Sequence, residues 1–150
     1  MKKVIAVSLL LAACTQDPAD QPPVELQPGL YEVTVGGGTL VRLPSDKRTD
    51  QICLSVPDAI DFAKSPLYPT IGAWENCTES PDEPRGNAIS GKRQCDRKAP
   101  MTVAYTGSHA ADSFELRGTV TQGSDENESV MRLGSGDFSI SGKRITDCEG

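Results

Sequence analysis

Four cysteines, Cys53, Cys77, Cys95 and Cys148, constrain this 150-residue chain more than any other feature, because the segment ahead of them addresses them to an oxidising compartment. Met1-Lys2-Lys3 is a positive start, and residues 4–11 form an apolar run broken only by Ser8. Small residues close the run at Ala12-Ala13-Cys14. This is the shape of a secretory leader, too short to stay in a bilayer as an anchor. Exported thiols are oxidised, and four of them permit three pairings. The gaps of 23, 17 and 52 residues lack the close pairs of a zinc site, so structural disulfides are expected and no metal is. Cys77 and Cys95 are equidistant from Gly86 in the turn-like Pro84-Arg85-Gly86-Asn87, which places them opposite each other across a hairpin. That geometry makes Cys77 with Cys95 the preferred pairing, by elimination leaving Cys53 to join Cys148, and the sequence alone does not decide among the three. The chain-entropy model gives about 3 kcal/mol for the short loop and nearer 5 for the long one.

Leu11-Ala12-Ala13-Cys14 resembles the bacterial lipobox residue for residue. That resemblance implies cleavage after residue 13, acylation of Cys14 and a membrane-anchored protein. Thr15, where an Asp would imply inner-membrane retention, points to the periplasmic side of an outer membrane. Loss of the leader leaves 13 basic against 21 acidic residues, a net charge of −8. Such a charge argues against nucleic acid as a partner. Residues 14–27 carry Pro18, Pro22 and Pro23 and read as the acylated cysteine followed by a flexible polar linker. Residues 28–150 form one domain.

That domain reads as mainly β. Gly and Pro make up 25 of the 150 residues, too many chain reversals for a helical bundle. Alternating or β-rich runs at 30–35, 39–43, 51–54, 74–79, 88–97, 101–106, 113–122, 128–133 and 137–141 are strand candidates. Gly107-Ser108-His109 and residues 123–127 read as turns between them. Ser55-Val56-Pro57-Asp58 opens the one expected helix, with Ser55 as cap and Asp58 completing a capping box, and Pro66 ends it. Short strands with short turns imply an antiparallel meander of sequence neighbours. One helix cannot cover a wide sheet, so the sheet is expected to curl or partly close on itself.

Pro28-Gly29-Leu30-Tyr31-Glu32-Val33-Thr34, Gln51-Ile52-Cys53-Leu54, and Ser141-Gly142-Lys143-Arg144 leading to Asp147-Cys148 resemble an exported bacterial family catalogued as domain of unknown function 3617. Cys77 and Cys95 fall where its middle cysteines fall. Tyr31 stands where that family usually has Trp, and Thr146 where it often has Gly. The resemblance implies export and a compact β fold, and it carries over no catalytic residues.

No assembled catalytic or cofactor motif stands out. Gly86-Asn87-Ala88-Ile89-Ser90-Gly91-Lys92 has phosphate-loop spacing, but Arg93 occupies the Ser/Thr position and a strand follows, so it reads as a hairpin turn. His109, the one histidine, reads as a solvated turn residue, and Asp125-Glu126-Asn127-Glu128 as an exposed acidic turn. Lys92, Arg93, Arg97 and Lys98 cluster within seven residues, and Ser-Gly-Lys-Arg recurs at 141–144. With Lys143 and Arg144 they form a candidate patch for an anionic partner, against the plainer reading of solubilising side chains. The expectation is a non-enzymatic, lipid-anchored envelope module that binds a protein or polymer. Its rivals are an inhibitor of a basic periplasmic enzyme such as lysozyme, an apolar-ligand carrier, or a hydrolase with an unrecognised site.

Overall fold

A computed structural model describes residues 23–37, 47–72, 74–96, 100–123 and 134–149. The leader, Cys14, the first part of the linker, the strands expected at 39–43 and 128–133, and the acidic turn lie outside those residues. The described chain runs β1 (Gly29–Gly36), β2 (Arg48–Leu54), α1 (Val56–Asp61), α2 (Leu67–Ile71), β3 (Cys77–Pro81), β4 (Ala88–Cys95), β5 (Met101–His109), β6 (Ser113–Gln122) and β7 (Gly134–Thr146).

All seven strands join one antiparallel sheet in the order β2-β1-β7-β6-β5-β4-β3. Strands β3 to β7 meander as expected. One pairing departs from neighbour order and one neighbour pairing is missing. Strand β7 returns beside β1, and β2 does not pair with β3. The sheet is therefore open, with β2 and β3 as its edges. The helical connection from β2 to β3 carries the chain from one edge to the other.

Alternation along each strand sorts the side chains into two faces. Tyr31, Val33, Val35, Ile89, Val103, Tyr105, Phe114, Leu116, Val120, Phe138 and Ile140 are buried on one face, in a single core cluster. The helical connection covers this face with Phe62 and Leu67, and the Phe62 ring lies 4.6 Å from that of Phe114. Glycines on the same face seat the aromatic rings. Phe114 lies over Gly142, Phe138 over Gly118, and the Tyr105 hydroxyl over Gly91, each where a Cβ would stand. The opposite face carries Glu32, Thr34, Lys92, Ser108, Glu115, Thr119 and Ser141 and is bonded within itself, as in Thr119 to Asp137 at 2.9 Å.

Helix α1 begins as its sequence dictates. The Ser55 hydroxyl and the Asp58 carboxylate close a reciprocal capping box, with proline in the first turn. A second helix, α2, corrects the expectation of one. Pro66 does stand beyond α1, but its φ of −69° suits a helix start, where a missing N–H costs nothing. Gly72, at φ 89°, ends α2 in backbone territory open mainly to glycine.

The expected turn at Gly107-Ser108-His109 is also corrected, because β5 continues to His109 and the chain reverses at 110–112. Pairing on both sides, with Ile89 and Leu116 opposite Gly107, outweighs the weak strand preference of that tripeptide. Strand β7 likewise absorbs Ser141-Gly142-Lys143-Arg144. Strand β3 starts three residues later than expected, after Trp74. Both disulfides form, Cys77 with Cys95 at directly opposed positions of β3 and β4, and Cys53 with Cys148.

Candidate functional site

A polar cluster is built into the core side of the β3–β4 edge. Glu79 and Arg93 are opposed on the inner face, 3.0 Å apart, with side chains 12% and 4% exposed. Arg93 also donates to the Gly72 carbonyl at 3.0 Å and lies 5.4 Å from the centroid of Trp74. The Ser65 hydroxyl donates to the same Glu79 oxygen at 2.6 Å. α2 and its glycine thus satisfy an arginine that the strand pattern turns inward. Burial, reinforced by the Glu79 charge beside it, raises the Tyr105 hydroxyl well above the usual phenol range. Glu79 Oε1 and the Tyr105 hydroxyl are both buried, and neither meets a partner within hydrogen-bond geometry among the described residues. A guanidinium held on three sides acts as a clamp between the helical connection and the sheet edge.

The second feature is a trough of about 430 Å³ on the polar face, across the ends of β1, β7, β6 and β5. Glu32, Glu115 and Lys143 project into it among Thr34, Ser108, Ser113 and Ser141. None of the three charges is in an ion pair among the described residues, although Glu32 and Lys143 are opposed across the β1–β7 ladder. Carboxylates beside an ammonium and a row of hydroxyls can hold a polar ligand that offers both hydrogen-bond donors and an anionic group. His109 lies at the margin, half-buried rather than solvated. Its Nδ1 has no hydrogen-bond partner among the described residues, and burial lowers its pKa below the usual imidazole value.

Among the described residues the candidate cationic patch is not assembled as expected. Lys92 and Lys143 face solvent on the polar side, but Arg93 is buried against Glu79. Arg144 is half-buried, bonded to the Pro28 carbonyl and to Asp147. Both Ser-Gly-Lys-Arg segments obey one rule of alternation: glycine seats an aromatic ring, lysine meets water, and arginine turns inward. Strand register separates Lys92 and Lys143 by three ladder steps and six residues, roughly 14 Å across and 20 Å along the sheet. Arg97 and Lys98, like Cys14, lie outside the described residues. Glu79 was missed at the sequence level, although it stands as far from Gly86 as Arg93 does.

Among the described residues no group of His, Cys, Asp and Glu is placed to hold a metal, and no helix is long and apolar enough to cross a membrane. A family model described as "Protein of unknown function (DUF3617)" matches residues 26–148. No curated protein and no solved structure matches the chain.

Proposed function

From the premise that this chain belongs to the DUF3617 family over residues 26–148, we propose that it is an exported, lipid-anchored envelope protein whose domain serves as a binding module. The observation that carries the reading is the use of its cysteines. Four close two disulfides within the domain, and the fifth, Cys14, stands directly behind Leu11-Ala12-Ala13 at the end of a leader-like segment. Disulfides persist in oxidising compartments, and acylation at Cys14 supplies the more than one chain that stable anchoring takes. Thr15 favours the outer membrane, on its periplasmic side.

The binding role is supported by the way the ionisable groups are spent. Glu79 and Arg93, facing inward, are committed to holding the fold, while Glu32, Glu115 and Lys143 are left to an open trough. Metabolic labelling with tritiated palmitate tests the anchor. The parent protein takes up label and pellets with membranes, and Cys14→Ser is unlabelled and soluble. A Cys14→Ser protein that still pellets overturns the anchoring. For the trough, cross-linking in intact envelopes should capture a component through the parent chain and lose it in Glu115→Lys with Lys143→Glu. An unchanged adduct places binding elsewhere.

A further inference from the structure

The described residues expose few large apolar side chains, and their placement is uneven. Val24, Val56, Ile60 and Ile145 are 41%, 58%, 63% and 51% exposed, and the fifth, Tyr68, lies further along the connection on α2. Ile145 is the one that belongs to a strand, at the end of β7 beside the register shift at Leu30/Tyr31, and alternation from Lys143 turns it outward. Strand directions place the four together. The start of β1, the end of β2, the end of β7 and the β5–β6 turn share one end of the sheet, as the pairing of Gly29 with Leu54 and of Leu30 with Thr146 requires. Ile145 is at that end of β7. Val56 opens α1 there, and Ile60 shares its face at i, i+4.

The chain from Cys14 arrives at this same end. Residues 23–28 cross it, with Val24 N–H bonded to Asn87, Leu26 buried in the core, and Gln27 N–H bonded to Ala111. Only eight residues, 15–22, separate Cys14 from Pro23, so the two Cα atoms lie at most about 30 Å apart. A domain of this length is about 30–35 Å across, so a tether of this reach keeps the entry end nearer than the opposite end to a membrane that holds Cys14 in most orientations. The covalent link also raises the effective concentration of the surface, so a few part-exposed aliphatic side chains suffice to engage it. Nearby charge is partly neutralised within the protein, Asp61 by Lys64 and Asp147 by Arg144.

We propose that the end of the domain crossed by residues 23–28 rests on the membrane, with Val24, Val56, Ile60 and Ile145 entering its interfacial zone. This rests on acylation of Cys14. It orients the domain with the opposite strand ends, where Gln94 lies on β4, pointing away from the lipid.

The test uses the full acylated chain reconstituted in vesicles of brominated phosphatidylcholine, whose bromines quench indole emission. Ile60→Trp reports on the proposed contact and Gln94→Trp, exposed at the far end of β4, on the opposite end, with native Trp74 as the shared background. The expected result is loss of about half or more of the emission added at position 60, with about a tenth or less lost at position 94. Equal quenching at both positions, or none at position 60 in protein that floats with the vesicles, overturns the orientation and leaves the anchor standing. Protein that fails to float overturns the anchor and the orientation with it.

Discussion

Glu79 and Arg93 sit directly opposite each other on the inward side of the β3–β4 hairpin, two residues from the Cys77–Cys95 disulfide, and their charges meet almost out of reach of water. A covalent link and an ion pair thus lock consecutive inward-facing positions at one edge of an open sheet. The arginine carries the lock onward to the helical connection through the Gly72 carbonyl.

Removing one partner should cost far more than removing both. Glu79→Ala leaves a guanidinium buried without its counter-charge, a loss of about 3–5 kcal/mol, whereas Glu79→Leu with Arg93→Met should lose about 2 kcal/mol or less. Urea unfolding of Glu79→Leu, Arg93→Met and the double variant closes the cycle and measures the coupling. Additive losses would show that the pair is not one unit.

The two disulfides should differ in worth. Cys53–Cys148 closes a separation of 95 residues and Cys77–Cys95 one of 18. Replacing the first pair with alanines should cost about 5 kcal/mol and the second about 3. Equal midpoint shifts in denaturant would refute the loop-length argument for this domain.

His109 should make stability fall on mild acidification. Burial lowers its folded pKa below the unfolded value, so from about pH 6.5 downward the unfolded chain takes up a proton that the native site resists. The associated stability is present at pH 7.5 and is lost progressively down to the folded pKa. Thermal melts between pH 7.5 and 5.5 should show a falling Tm for the parent protein and a flatter profile for His109→Gln. Parallel profiles would assign the slope to other groups.

The aromatic seats should not tolerate a methyl group. At Gly91 a Cβ would lie 2.6 Å from the Tyr105 hydroxyl and 2.8 Å from the Pro81 Cα, so Gly91→Ala must move a ring or the edge strand. The expected loss is about 1–3 kcal/mol, against a small change for Gly86→Asn in the exposed hairpin turn. Calorimetry of the two variants compares them directly.

How much of this was legible in the residues depends on distance along the chain. The hairpin about Gly86 could be read locally, and the symmetry that opposes Cys77 and Cys95 also opposes Glu79 and Arg93. Ser55 and Asp58 announced α1 for the same reason, since a cap is settled within four residues. Arg93 was misread because composition marks a cation as a surface residue, while strand parity and an opposed carboxylate turned it inward. His109 was misread because Gly-Ser-His looks like a turn until two neighbouring strands pair with it. The trough was hidden altogether. Glu32, Glu115 and Lys143 come from three strands, and the pairing of β1 with β7 that unites them is a contact between the two ends of the domain.

By itself the amino-acid order determined the β character and the positions of most strands, and it favoured one cystine pairing without deciding it, because alternation, turn residues and caps act over a few neighbours. Only the tertiary structure decided that the sheet stays open, that β7 returns to β1, and which of two identical Ser-Gly-Lys-Arg segments buries its arginine. Those outcomes depend on packing between residues tens of positions apart. No local preference encodes them.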